Sequence, residues 1–162
     1  MIVNSLWTWF LSLFSGPKDY LRLRDYPVFA KLSSYDLYLL SERIHERSFS
    51  LGEVIFEAQY PLEVIYFIRS GEIKLEGMYG GSQEKILGQM EHLGILDMFH
   101  GDSRTGTATA ATDVQVDAIA KSDLMDYIDA RPRCGLKIYH AICQDFASFI
   151  FGSLDQKSDE LD

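Results

Sequence analysis

Between Phe49 and Ala120 the chain starts and stops extended segments at short intervals. The stretches "FSLGEVIFEAQ", "EVIYFIRSGEIKLEG", "MYGGSQEKILGQM", "TGTATAAT" and "VQVDAIA" are rich in Val, Ile, Phe, Tyr and Thr, and Gly or Pro bounds most of them. Such runs favour strands over helices, because branched and aromatic side chains suit a pleated, half-buried surface. A parallel sheet needs a crossover of about a dozen residues, usually a helix, between consecutive strands. The gaps here are too short, so the strands must run antiparallel in a sandwich, jelly roll or small barrel. Ser70-Gly71 is predicted to be a tight hairpin turn, Gly80-Gly81 a second turn, and Asp113 the break between the last two strands.

Helices flank this block. Ser33 or Ser34 caps a helix in which Leu37, Leu40 and Ile44 recur at helical spacing. After Ser122 the pattern returns to helix, first in "SDLMDYIDARP" and then in a longer segment beyond Pro132. On that segment Tyr139, Ile142, Phe146, Phe149 and Ile150 line one face. The predicted architecture is mainly β with flanking helices. The chain divides into an N-terminal apolar helix and connector (1–26), the main domain (27–154) and a solvated acidic tail (155–162).

The first fifteen residues, "MIVNSLWTWFLSLFS", carry no charged side chain. They are too short to span a bilayer and lack a basic leader and a cleavage site. Trp7, Trp9 and Phe10 lie in this segment, which is expected to pack on its own domain or on a second subunit. Peripheral membrane contact is the less favoured reading, because the polar stripe of Asn4, Thr8, Ser12 and Ser15 has no Lys or Arg.

Charge narrows the partners. A formal charge of −9 over 162 residues, with Lys and Arg scattered among acids, provides no surface for phosphate backbones. Direct nucleic-acid binding is therefore not expected. Cys134 and Cys143 are too far apart on one helix for a disulfide, about 13.5 Å at the helical rise, and too few for a metal cluster. They read as two buried thiols in a cytoplasmic protein. His45, His92, His100 and His140 are dispersed. A metal-holding cupin would need them clustered, although His92 and His100 could form a pair of ligands. No nucleophile–base pair or carboxylate pair stands out, so the chain is not expected to be an enzyme.

One stretch combines opposites. In "LGILDMFHGDSRTGTATAAT", Arg104 stands immediately before residues that are almost all small. A guanidinium gives a compact anion a fork of fixed donors, and small neighbours let backbone N–H groups approach the same oxygens.

Together with "PVFAKLSSYDLYLLSERI", Gly52-Glu53, "YFI" and Ser70-Gly71, this stretch resembles the cyclic nucleotide-binding domain family. That family provides the sensor module of the bacterial catabolite activator protein and of cyclic-nucleotide-dependent kinases and channels. The likeness extends over roughly 27–151. It implies an eight-stranded jelly-roll barrel with N-terminal helices and a C-terminal helix that acts as lid or dimer seam. It also implies a phosphate-binding cassette of the form Phe-Gly-Glu-Leu-Ala-Leu, a loop, then Arg-Ser/Thr-Ala-Thr. Leu93 to Met98 match the first part, and Arg104, Thr105, Gly106 and Thr107 the second. The ligand-binding residues so implied are Gly94, Ile95, Leu96, Arg104, Thr105, Gly106 and Thr107. The lid or dimer seam would be Tyr139, Ile142, Phe146, Phe149 and Ile150.

The cassette departs from the family where Ile95 replaces the glutamate that accepts from a ribose hydroxyl. Losing one charge-assisted hydrogen bond costs about 1.5–3 kcal/mol, on the order of 10–100-fold in affinity. The segment from Met90 to Gly94 is shorter than usual, and "EAQYP" lacks the family's Gly-Asp. The expectation is a stand-alone, non-catalytic regulatory domain, homodimeric, acting on a protein partner, with weak or altered cyclic-nucleotide binding. One alternative is a full receptor for cAMP, cGMP or a cyclic dinucleotide, with Asp97 or a backbone group replacing the glutamate. Another is an adaptor with a vestigial pocket, filled by Phe149 or Tyr139.

Overall fold

The computed structural model describes residues 18–78 and 84–159. Two 3₁₀ turns, Lys18–Asp25 and Pro27–Phe29, lead to α1 (Ser34–Ser41), whose Ser33 hydroxyl accepts from the Asp36 N–H at 3.2 Å. Strands β1 (Ile44–Phe49), β2 (Val54–Phe56), β3 (Val64–Ser70), β4 (Ile73–Glu76), β5 (Glu84–Leu87) and β6 (His92–Leu93) follow. Helix α2 (Ile95–His100), strands β7 (Thr107–Ala110) and β8 (Val114–Ala120), and helices α3 (Lys121–Ala130) and α4 (Pro132–Asp159) complete the order. Ile44, read as the last apolar position of a helix, instead opens β1 opposite Ile119 of β8. Its spacing from Leu40 matched a helical turn, but α1 ends at Ser41. Helix α4 runs past Leu154 into the segment read as a tail.

The strands form two antiparallel sheets, β1-β8-β3-β6 and β2-β7-β4-β5, which is jelly-roll order. Ser70-Gly71 does turn the chain, but not as a hairpin. It carries the chain from the first sheet, where β3 lies, to the second, where β4 lies. Gly71 has φ 86°, and a Cβ there would collide with the Asp113 carbonyl. The corner after β3 thus packs on the corner between β7 and β8, where the chain crosses back. The hairpin is the β4–β5 pair, registered from Ile73↔Leu87 to Glu76↔Glu84. Gly80-Gly81, read as its turn, lies outside the described residues.

Strands β3 and β8 are buried on both faces, which explains their nearly unbroken apolar runs. Tyr66 and Ile68 of β3, with Val114, Val116 and Ala118 of β8, meet Ile73, Leu75, Leu87, Ala108 and Ala110 of the second sheet. On the opposite face Ile65, Phe67 and Ile119 meet Tyr26, Phe29, Leu37, Leu124, Ile138 and Ile142 from the helices. The molecule is therefore three layers: helices, first sheet, second sheet. One charge is buried in the helical layer. Asp117, fully inaccessible on β8, accepts from Arg22 Nη2 at 2.6 Å and from the Tyr26 hydroxyl at 2.8 Å.

Candidate functional site

Gly94 ends β6 in the left-handed region, φ 99°, and starts α2. A Cβ there would sit 2.6 Å from Arg104 Nη1, so glycine is what lets the arginine lie against the backbone. Helix α2 turns its residues to different sides. Ile95 is fully buried in the helical layer, whereas Asp97 points at the loop that carries Thr105.

That loop is held from both directions by the segment between β2 and β3. The Arg104 N–H donates to the Tyr60 carbonyl at 2.8 Å, and the Gln59 N–H donates to the Arg104 carbonyl at 2.9 Å. The Leu62 N–H reaches the Asp102 carbonyl at 2.8 Å. The Arg104 side chain, 2% exposed, turns inward. Its guanidinium lies 3.8 Å from the Phe56 ring centroid and 5.7 Å from that of Tyr66. Nη2 donates to the Val64 carbonyl at 2.5 Å. Nη1 is buried with no hydrogen-bond partner, and the nearest carboxylate oxygen, Asp97 Oδ2, is 3.9 Å away. Burial pulls the guanidinium below its ordinary pKa, and the Asp97 charge opposes that shift.

Asp97 is itself buried and engaged. Its Oδ1 accepts from the Thr105 hydroxyl at 2.6 Å and from the Thr105 N–H at 3.2 Å. The hydroxyl, the amide and the guanidinium are the donors that the sequence assigns to a phosphate. In the structure the two Thr105 donors are taken by a side chain of the protein, and the guanidinium lies 3.9 Å from the same carboxylate.

Beside this cluster lies a cavity of about 320 Å³. Phe56, Leu75, Met78, Leu87, Leu96 and Phe146 form apolar wall, and Gly94, Asp97, Thr105 and Gly106 form the side nearest Arg104. Helix α4 covers it with Ala141, Asp145, Phe146 and Ser148. His92 Nε2 and Asp145 Oδ2 are 2.8 Å apart, which ties the helix to the strand that enters the cassette. This hydrogen bond holds the Asp145 carboxyl below its ordinary range. Phe99 at the end of α2 meets Tyr139 and Phe146 of α4 edge-on, at 6.2 and 5.8 Å between centroids.

The sequence-assigned residues separate into groups. Gly94, Leu96, Thr105 and Gly106 line the cavity. Arg104 lines a surface cleft with Glu57, Tyr60, Glu63 and Tyr66 instead, and lies behind the cavity wall, against Phe56, Gly94 and Asp97. Ile95 does not face the cavity, because the first turn of α2 directs it into the helical core. Thr107 is on β7, where its hydroxyl accepts from the Ala58 N–H at 3.0 Å. On α4, Ile142 is buried in the core, Tyr139 and Phe146 pack partly buried against it, and Ile150 is exposed. The side chain of Phe149 lies outside what is described, as do Trp7, Trp9 and Phe10.

Of the two cysteines, Cys134 is buried and Cys143 exposed, because Cys143 falls on the outer face of α4. Among the described residues, no three His, Cys, Asp or Glu side chains converge as a metal site, and no helix is long and apolar enough to cross a membrane. Sequence reasoning missed the Phe56 and Tyr66 rings under Arg104 and the His92–Asp145 tie. No local signal marks either, since both join segments distant in the chain.

Similarity to other proteins agrees with this geometry. The chain superimposes on the N-terminal domain of a transcriptional regulator from Streptomyces coelicolor with a TM-score of 0.63 and 25% identity, covering 78% of this chain and 91% of that one. For a cyclic nucleotide-binding domain from Methylobacillus flagellatus the values are 0.72 and 14%, over 85% and 83% of the two chains. For the catabolite activator protein of Thermus thermophilus they are 0.66 and 23%, over 83% of this chain and only 62% of the activator. No curated protein sequence matches. The model of the cyclic nucleotide-binding domain matches residues 46–131, a span that contains all eight strands except the start of β1, together with Arg104 and its surroundings. The chain belongs to the cyclic nucleotide-binding domain family.

Proposed function

We propose that this chain is a non-catalytic regulatory domain whose cavity senses a small ligand and whose helix α4 reports it by protein contact. Cyclic nucleotides bind it weakly or with altered selectivity, and it acts as a homodimer. The observation that carries this reading is the position of α4. Phe146 forms cavity wall while Asp145 is bonded to His92, so the contents of the cavity and the seating of the helix are coupled. Toward its end the same helix exposes Ile150 and Phe151, at 55% and 67%, which suits a contact with a second copy or with a protein partner. The weak grip on nucleotides follows from Ile95, which cannot accept from a ribose hydroxyl and faces away from the cavity.

Titration calorimetry with cAMP, cGMP and cyclic di-GMP, run beside light scattering, tests this. The expected result is a dimer in which any saturable cyclic-nucleotide binding is weaker than micromolar and is lost in Arg104→Ala. Micromolar binding by the wild type would instead support a full receptor. A monomer would remove the dimer from the proposal.

A further inference from the structure

The cavity has an anion built into it. The carboxylate of Asp97 is almost completely buried and takes both donors of Thr105, the amide and the hydroxyl. Its other oxygen faces Arg104 Nη1, which has no hydrogen-bond partner. An entering phosphate diester needs those same donors. To use them it must displace Asp97 or lie beside it, placing two negative charges close together away from water. The remaining acids on the cavity wall are exposed and paired, which leaves Asp97 as the buried charge of the site. Glu91 and Asp145 stand at its edge, balanced by Lys85, which lies 3.6 Å from Glu91, and by His92. The deeper surface is hydrocarbon from Phe56, Leu75, Met78, Leu87, Leu96 and Phe146.

We propose that Asp97 is an internal stand-in for the ligand phosphate, and that it makes the cavity reject cyclic nucleotides and accept a small, uncharged, largely apolar ligand. The inference rests on the reading of this cavity as the ligand site. Within that reading, Asp97 is the specificity-determining residue. In the cassette pattern an alanine occupies its position, and a methyl group neither competes for the Thr105 donors nor repels an anion.

The test compares the full-length wild type with Asp97→Ala and Asp97→Asn. Each is titrated with the neutral fluorophore N-phenylnaphthylamine and, by calorimetry, with cAMP. The wild type is expected to bind the fluorophore saturably and to show no saturable heat with cAMP in the micromolar range. Asp97→Ala should gain on the order of 10–100-fold in cAMP affinity, the size expected for releasing a charge-assisted donor set. Asp97→Asn keeps the shape of the side chain and removes its charge. It should gain a smaller amount, and it keeps the test valid if the alanine variant folds poorly.

Folded variants with no gain in cAMP affinity would overturn the inference. So would a wild type that binds cAMP tightly and loses it in both variants, since Asp97 would then be a ligand acceptor; the ligand-sensing cavity would survive that result, as a full receptor in place of a weak binder. If no form binds either compound, the proposed ligand-responsive cavity fails along with the inference.

Discussion

Two arginines are drawn into this molecule, and their surroundings differ in kind. Arg22, in the first 3₁₀ turn, meets three carboxylates: Asp19 at 2.6 Å, Asp117 at 2.6 Å and Glu46 at 2.9 Å. Burial works against its charge, yet the three acids more than compensate and its pKa is raised. Arg104 is more deeply buried, has one carboxylate at 3.9 Å, and makes up the rest with a carbonyl and two aromatic faces. Its pKa is lowered. The first arginine is a fastener that binds the N-terminal segment to β8. The second is a donor that its own fold does not fully use. Each buries one guanidinium nitrogen without a hydrogen-bond partner, Nε in Arg22 and Nη1 in Arg104, so what separates them is the counter-charge around the rest of the group.

The contrast is broken most directly at Arg22. Arg22→Ala leaves the Asp117 carboxylate buried with only the Tyr26 hydroxyl. Removing one partner of a buried pair costs about 3 kcal/mol, so the urea midpoint should fall sharply. A loss below about 1 kcal/mol would show that Arg22 is not the fastener described. At Arg104 the expected change is smaller. Arg104→Met keeps the buried stem and removes a poorly paired charge, so stability should stay within about 1 kcal/mol of wild type. A large loss there would mean the two arginines are alike.

The smallest effect concerns the tie between α4 and β6. The Asp145 carboxyl titrates below its unfolded value because His92 donates to it, so its contribution is present above about pH 4. It is lost as pH falls through the depressed folded value. Asp145 is half exposed, so the contribution is small. Asp145→Asn should lower the melting temperature slightly at pH 6, and the gap to wild type should narrow steadily as the pH falls below about 4. A gap that does not narrow on acidification would sever the link to ionisation.

Which features could be read in the sequence depended on how locally each is encoded. The strands announced themselves, because β3 and β8 are buried on two sides and had to be continuous in apolar residues. Ile44 misled because a strand that follows a helix closely can preserve a helical interval by coincidence. Ser70-Gly71 identified a turn, but whether a turn joins paired strands or crosses between sheets depends on the partner of each strand. In the site, Arg104 and Thr105 were conspicuous beside their small neighbours. Asp97 was visible as a residue and not in its role. At strand spacing it would share the face of Ile95, while α2 sends one into the core and the other to Thr105.

The strand order has a consequence for how the chain comes into being. β8 is the last strand to be made, yet it lies between β1 and β3 and pairs with both. As the polypeptide leaves the ribosome, β1 has no partner strand, and β3 has only the two-residue β6, until residues near Ala120 emerge. Meanwhile the apolar run Ile65 to Ile68 keeps the edge that β8 will occupy unpaired. A chain interrupted in translation before β8 would hold seven of the eight strands and lack the one that joins β1 to β3. It would present the surface that chaperones recognise and that other nascent chains adhere to.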